Sequence, residues 1–337
     1  MRICRGIPVK PESPVALTIG NFDGVHLGHQ AMLARLKGAA DRLGLDTCVM
    51  IFEPHPREFF APDKAPTRLT SLREKLELLA AAGVDRVQVC RFNFDFARIS
   101  AEDFIVHILQ QGLGVRWILV GDDFRFGARR AGDFAMLRAF SASCGFVVEE
   151  MPGYAVDGLR VSSTAVRDAL AAGYLDLVER LLGRSYSISG RVVRGDQLGK
   201  KIGFPTANIQ LKHNRPPLSG IFVVEVEVEA EVETHDTAEV PPLQALEGVA
   251  SLGVRPTVHE GGKPVLEVYL FDFDQDIYGR HLRVRFLHKL RDEEKYPDLI
   301  TLTRQIGQDV EDARNYFGRL SSSSPVRREK KLLYRPN

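Results

Sequence analysis

A change of texture near Leu182 constrains this chain more than any other feature. From about Val15 to that point, short apolar runs alternate with stretches of helical period. Val15–Ile19, Thr47–Phe52, Arg86–Cys90, Trp117–Gly121 and Gly145–Glu150 predict strands. Gln30–Leu43, Ser71–Ala82, Ala101–Gln111, Gly132–Cys144 and Thr164–Ala172 predict helices. This βαβα rhythm predicts a doubly wound parallel sheet. In such sheets ligands lie beyond the carboxyl ends of the strands, where the strand order reverses. Beyond Leu182 the pattern becomes two-fold. Ser185–Val193, Gly220–Glu229, Val249–Gly253, Val265–Phe271 and His281–Phe286 alternate apolar and polar residues between glycine and proline turns. They predict a compact antiparallel barrel or sandwich, closed by one helix over Asp298–Gly318.

Length fits that division, since 337 residues are comfortable for two cores. We expect an α/β domain over residues 1–184, a β domain over 185–320 and a loose, serine-rich then basic tail over 321–337. The acidic segment Glu229–Glu247 is expected to be an exposed hairpin connection. Charge is nearly balanced, with 45 basic and 44 acidic residues and a formal net of +1. That balance gives no support for broad attraction to nucleic acid or membrane. No apolar run approaches a membrane span, and the first residues lack a signal-peptide core. Cys4, Cys48, Cys90 and Cys144 contain no C-x-x-C pair and are expected to be reduced and buried. The expected protein is cytoplasmic, a monomer or weak homo-oligomer, with no nucleic-acid or membrane partner.

Four stretches of the first domain carry chemistry. The first is Gly20-Asn21-Phe22-Asp23-Gly24-Val25-His26-Leu27-Gly28-His29, between the first strand and the first helix. Either histidine alone is more often structural than catalytic. Two at i and i+3 share a helical face beside free backbone N–H groups, a ready site for phosphate. The chemistry that fits is nucleotidyl transfer, which offsets charge on an α-phosphate and a departing pyrophosphate. A helix dipole contributes only about 0.3–1 kcal/mol per charge, so fixed donors and a divalent metal must add the rest.

The second stretch is Arg160-Val161-Ser162-Ser163-Thr164-Ala165-Val166-Arg167. It reads as a helix cap by itself, but Arg167 one turn on makes it a second phosphate cradle. The third is Gly121-Asp122-Asp123-Phe124-Arg125-Phe126-Gly127. Its carboxylates suit magnesium or a nucleotide, or simply an Asx-capped turn, and the aromatic-rich loop leaves room for a planar ligand. The fourth, Phe52-Glu53-Pro54-His55-Pro56-Arg57-Glu58-Phe59-Phe60, either walls a flat ring or plugs the top of the sheet.

In the second domain, Gly190–Asn208 is a glycine-rich basic loop ending in Pro205-Thr206-Ala207-Asn208. Around Gly199 backbone amides can approach phosphate, and Lys200 and Lys201 add mobile charge. Thr206 and Asn208 offer hard oxygens suited to magnesium. It is not a Walker A sequence. Glu267, inside Leu266-Glu267-Val268-Tyr269-Leu270, reads in isolation as a solvated strand residue.

Together these motifs carry a resemblance. H-x-G-H followed by S-S-T-x-x-R looks like the HIGH-type nucleotidyltransferases. F-x-P-H-P and G-D-D-F-R-F-G narrow it to the FMN adenylyltransferase module of bacterial bifunctional FAD synthetases. The P-T-A-N loop, Ala250–Thr257, L-E-V-Y-L and Asp276-Ile277-Tyr278-Gly279 are similar to riboflavin kinase over nearly all of Ser185–Phe317. The resemblance implies that His26 and His29, with Gly20, Phe22 and Gly24 in their turn, bind ATP phosphates and stabilise the transition state. Arg160, Ser163, Thr164 and Arg167 would hold phosphates, and Asp123 would lie at the nucleotide or metal. Phe52, Pro54, Pro56, Phe124 and Arg291 would contact flavin. A six-stranded barrel would carry Thr206 and Asn208 at Mg-ATP, and Glu267 would take the proton of the ribityl 5′-hydroxyl. The implied partners are riboflavin, FMN and ATP, with Mg2+ as cofactor. A nucleotidyltransferase for another acceptor and a catalytically dead flavin-binding module are the rival expectations.

Overall fold

A computed structural model describes residues 1–195, 198–211, 215–229, 245–254 and 264–323. The Glu229–Glu247 connection and the Ala250–Thr257 motif therefore lie partly outside the described residues, as does most of the tail. The chain divides into two compact units. One comprises 1–166 and 181–183, the other 167–180 and 184–337.

The first unit opens on β1 (Arg2–Arg5) and β2 (Val15–Ile19). There follow α1 (Leu27–Leu43), β3 (Asp46–Glu53), α2 (Pro56–Phe60), α3 (Leu72–Ala81), β4 (Arg86–Arg91) and α4 (Phe94–Ala97). Next are α5 (Ala101–Asp103), β5 (Val115–Gly121), α6 (Phe134–Cys144), β6 (Val147–Met151), and the ribbon β7 (Ala155–Val156) and β8 (Leu159–Arg160). The main sheet has the order β1-β4-β3-β2-β5-β6, and every pair in it is parallel. The predicted five strands are all present. β1 adds an edge strand that was not expected, because its four residues Arg-Ile-Cys-Arg hold one large apolar side chain and no run. The predicted helix over 101–111 is an α turn that widens into a π-helix over Phe104–Gly112.

Successive side chains of a strand face opposite ways. Val15, Leu17 and Ile19 join one core with Phe104, Ile108 and Leu109, while Ala16 joins another with Leu36, Val49 and Trp117. Helices cover both faces, so the central strands are largely apolar, with small Thr18 and Thr47 buried among them. From β2 the chain winds outward one way through β3 and β4. It then returns to β2's other side as β5. The switch point thus lies between β2 and β5.

After α7 (Ser163–Ala171) and α8 (Leu175–Leu182) come β9 (Tyr186–Val193), α9 (Leu198–Lys201), β10 (Ala207–Gln210), β11 (Gly220–Val228), β12 (Leu246–Val254), β13 (Pro264–Leu270), β14 (His281–Arg291) and α10 (Leu299–Ser323). Six strands close in the order β10-β13-β12-β11-β14-β9, all antiparallel. The sixth strand is β10, whose four residues read from the sequence only as part of a loop. Pairing with both β9 and β13 makes it the strand that closes the barrel.

Phe222, packed edge-on to Phe286 at 5.2 Å, is buried in the barrel. Its neighbours Ile221 and Val223 instead meet Ala313 and Phe317 of α10. Two buried faces explain why β11 is apolar from Gly220 to Val224, before Glu225 and Glu227 alternate with valines. α10 runs five residues further than predicted. The Ser322 hydroxyl donates to the Arg319 carbonyl, so serine at the end of a helix satisfies itself locally.

Candidate active sites

In the first unit, three loops meet at the carboxyl ends of neighbouring strands. The histidine turn follows β2, F-x-P-H-P follows β3, and G-D-D-F-R-F-G follows β5. β2 lies between the other two, so the turn occupies the switch point.

The turn is locally strained and heavily braced. Phe22 and Val25 have φ of 48° and 39°, the left-handed region that costs non-glycine residues about 1–3 kcal/mol each. Burial of Phe22 and a carboxylate at Asp23 hold it. Asp23 accepts from the Leu69 and Thr70 amides at 3.0 and 3.1 Å and from the Thr70 hydroxyl at 3.2 Å. The Thr70 hydroxyl oxygen in turn accepts from the Gly24 amide at 3.1 Å. Gly24 has φ +81°, and a Cβ there would lie 2.8 Å from Leu69 Cδ1. Only glycine suits both the conformation and the space.

His26 is the N-cap of α1, and its Nδ1 accepts the His29 amide at 3.3 Å. The two rings stack 3.7 Å apart, and Phe22 lies 4.7 Å from His29. Within this segment, Asn21 Oδ1 and His29 Nδ1 are buried without a protein partner. Burial first, then the neighbouring His26 and the ammonium of Lys75, push His29 well below the ordinary imidazole value. His29 is therefore neutral at pH 7 and presents an unsatisfied ring nitrogen, as a site awaiting a polar ligand would.

Around this centre the expected groups take definite positions. Ser162 caps α7 by accepting the Ala165 amide at 3.1 Å, and the Ser163 hydroxyl donates to the Asp23 carbonyl at 2.9 Å. The second cradle is thereby tied to the first. Thr164 is exposed, and Arg167 follows one helical turn after Ser163. Arg160 pairs with Asp122 at 3.1 Å, so that carboxylate is engaged, while Asp123 is exposed. Phe124 stacks on Phe126 at 5.5 Å. Phe52 packs against Phe92 and Phe96, which makes the ring part of an aromatic cluster as well as the end of β3. Pro54, preceded by a cis peptide, and Pro56 at the start of α2 are both half-buried.

Sequence reasoning missed the braces. Arg68 holds Glu53 and Glu58 together, and Lys75 is buried in the first turn of α3. The one legible signal was the Ser71–Glu74 capping box that starts that helix.

In the second unit, cross-strand register sets Asn208, Glu267 and Ser251 abreast on β10, β13 and β12. Directly opposed residues share a face, with Cβ atoms about 4.5–5.5 Å apart. Leu266 and Val268 on either side of Glu267 are fully buried, so Glu267 points the other way, on the face where Tyr269 meets Phe204 edge-on at 5.5 Å. The Ser251 hydroxyl donates to Glu293 at 3.2 Å. Asn208 is 8% exposed, and a Cβ at Gly195 would land on its amide. Arg291 grips Asp309 of α10 through two bonds of 2.8 and 2.6 Å. Gly199 and Lys200 lie in the short α9, Lys200 exposed, and Thr206 precedes β10. The contacts of Ser251, Glu293 and Asp309 were not foreseen, because register and helix docking alone set Ser251 opposite Glu267, Glu293 beside Ser251 and Asp309 beside Arg291.

A histidine pair at the switch point of a parallel sheet, joined to a closed barrel bearing a carboxylate–amide row, defines a two-domain nucleotide-dependent transferase. The comparisons agree. A family model described as FAD synthetase matches residues 9–165, and one described as riboflavin kinase matches 182–317. A bifunctional riboflavin kinase/FMN adenylyltransferase of Pseudomonas fluorescens is 48% identical over 93% of this chain and 97% of its own. The Escherichia coli K12 protein of the same description is 46% identical over 94% and 98%. A Streptococcus pneumoniae crystal structure, described as a macrolide-efflux protein, matches with TM-score 0.78 at 27% identity, over 94% of this chain and 99% of its own. Among the described residues no helix is long and apolar enough to cross a membrane.

The chain belongs to the bifunctional riboflavin kinase/FMN adenylyltransferase family. It is an enzyme with both activities, acting on flavins with ATP.

Proposed function

We propose that adenylyl transfer runs at the switch point of the parallel sheet and phosphoryl transfer on the Asn208–Glu267 face of the barrel. The observation that carries the first assignment is the neutral, stacked His29 with an unsatisfied buried nitrogen at the N-terminus of α1. His26 and His29 would donate to the phosphates of ATP, with Gly20, Phe22 and Gly24 shaping the turn. Ser163, Thr164, Arg160 and Arg167 would steady the same phosphates, and Asp123 would face the nucleotide. Charge gathers on the α-phosphate and pyrophosphate as the FMN phosphate attacks, and fixed donors stabilise it without reorganising. Pro54, Pro56, Phe52 and Phe124 would wall the flavin.

In the barrel, Glu267 would take the proton of the riboflavin 5′-hydroxyl as its oxygen attacks the γ-phosphate. Its position one strand from Asn208 supports that role. Gly199 and Lys200 would approach the phosphates, and Arg291, fixed by Asp309, would contact the flavin.

Magnesium is the metal these donors fit. Among the described residues no group of three or more His, Cys, Asp and Glu could hold a metal, and the ligands we assign in the barrel are neutral oxygens beside the phosphates of ATP. Thr206 and Asn208 supply such oxygens, and the amide of Asn208 is packed against Gly195. When bound, Mg2+ would neutralise the triphosphate.

We place the enzyme in the cytoplasm, a monomer or weak homo-oligomer with no nucleic-acid or membrane partner, as its balanced charge and small substrates suggest. Incubation of the purified chain with riboflavin, ATP and Mg2+, followed by chromatography, tests the assignment. FMN and then FAD should form, and excess EDTA should stop both. Undiminished turnover in EDTA would refute the metal's role.

A further inference from the structure

A single short segment ties two of these loops together. Arg68 donates to Glu53, at the end of β3, through Nη1 at 3.0 Å and Nη2 at 2.7 Å. The same guanidinium donates to Glu58 of α2 through Nε at 2.6 Å, with a second short contact from Nη2. All three side chains are about three-quarters buried. Glu53 and Glu58 bracket Pro54-His55-Pro56, the segment read above as the flavin wall. Burial alone would raise the Glu58 carboxyl, but the bonds and charge of Arg68 hold it below its usual value. The next two residues reach the other way, since the Leu69 and Thr70 amides are held by Asp23 of the histidine turn. One arginine and the two residues after it thus span from the nucleotide-holding turn to the acceptor loop.

We propose that Arg68 is a positioning residue for adenylyl transfer, fixing the 53–58 loop relative to the histidine turn so that the loop is preformed to bind FMN. The inference rests on the reading of that loop as the flavin wall. Its physical basis is the planar fork of arginine, which satisfies two carboxylates at once as a lysine ammonium does not. Without it the two carboxylates repel each other and the loop relaxes. A relaxed loop loses contacts made to FMN in the ground state and the transition state alike, which reads as a higher KM for FMN at little cost in kcat.

Arg68→Gln and Arg68→Lys, made in the full chain, test this. KM for FMN in FAD synthesis should rise about tenfold or more in Arg68→Gln and by less in Arg68→Lys, while KM for ATP in the same reaction moves less than about twofold. Conversion of riboflavin to FMN by the same preparations should be unchanged. Circular dichroism checks that the first domain is folded, and an unfolded Arg68→Gln leaves Arg68→Lys to decide. An unmoved KM for FMN in folded protein, or a rise in KM for ATP instead, overturns the proposal. Pro56→Ala separates the two readings. If it raises KM for FMN and Arg68→Gln does not, Arg68 has no positioning role. If it leaves KM for FMN unmoved, the acceptor-wall reading fails, and the proposal with it.

Discussion

The rings of His26 and His29 stack 3.7 Å apart and within 16° of parallel, while Nδ1 of the first accepts the backbone amide of the second. His26 thereby caps α1 through one ring nitrogen, and His29 is held neutral with a buried ring nitrogen that has no partner.

Replacement of His29 by alanine should therefore stop FAD synthesis while FMN accumulates from riboflavin. Loss of one preorganised donor to developing phosphate charge costs about 100- to 1,000-fold in kcat. Chromatographic product ratios over time give the readout, and equal loss of both products would contradict the assignment.

The same residue predicts a pH dependence of stability. Its folded-state pKa is depressed by burial, so the unfolded chain binds a proton that the folded domain refuses. Stability is then full above about 6.5 and falls as pH drops below it, by up to about tenfold in the folding constant per pH unit, until the folded-state value is reached. Thermal melts of the wild type and His29→Gln between pH 7.5 and 5 should show a shallower decline in the variant. Parallel curves would exclude His29 as the source.

Glu267→Gln should abolish FMN formation, by about 100- to 10,000-fold if a general base is lost, yet leave adenylylation of supplied FMN largely intact. Glutamine keeps the size and the strand pairing with Asn208 but cannot accept the proton. Separate assays with riboflavin and with FMN as substrate decide the matter.

Asp309→Ala strands Arg291 without its partner. Asp309 is 3% exposed, and removing one member of a buried ion pair costs about 3–5 kcal/mol, of which solvent around the partly exposed Arg291 returns a share. The melting temperature of the barrel should fall by several degrees and KM for riboflavin should rise. A variant with the lower melting temperature but unchanged KM would show that Arg291 does not meet the flavin.

Much of this molecule was readable before folding. Val15–Ile19 matches its strand residue for residue, because a strand buried on both faces leaves a run of apolar residues interrupted only by the small Thr18. The H-x-G-H turn and S-S-T-x-x-R could be placed at element ends, since caps and turns are written in local residue types, whereas P-T-A-N read only as the end of a loop. β1 and β10 escaped notice, as four-residue strands carry too little pattern and are stabilised by neighbours remote in sequence.

What the chain determined by itself was the succession of elements, the division into an α/β and a β half, and the residue types available for phosphate chemistry, all of which follow from periodicity and short-range geometry. Tertiary structure alone decided the partners. Asp23 meets Thr70 across 47 positions, Ser163 meets the Asp23 carbonyl across 140, and barrel register rather than spacing sets Glu267 between Asn208 and Ser251. Such contacts depend on how strands and helices are brought together, and no local pattern encodes that.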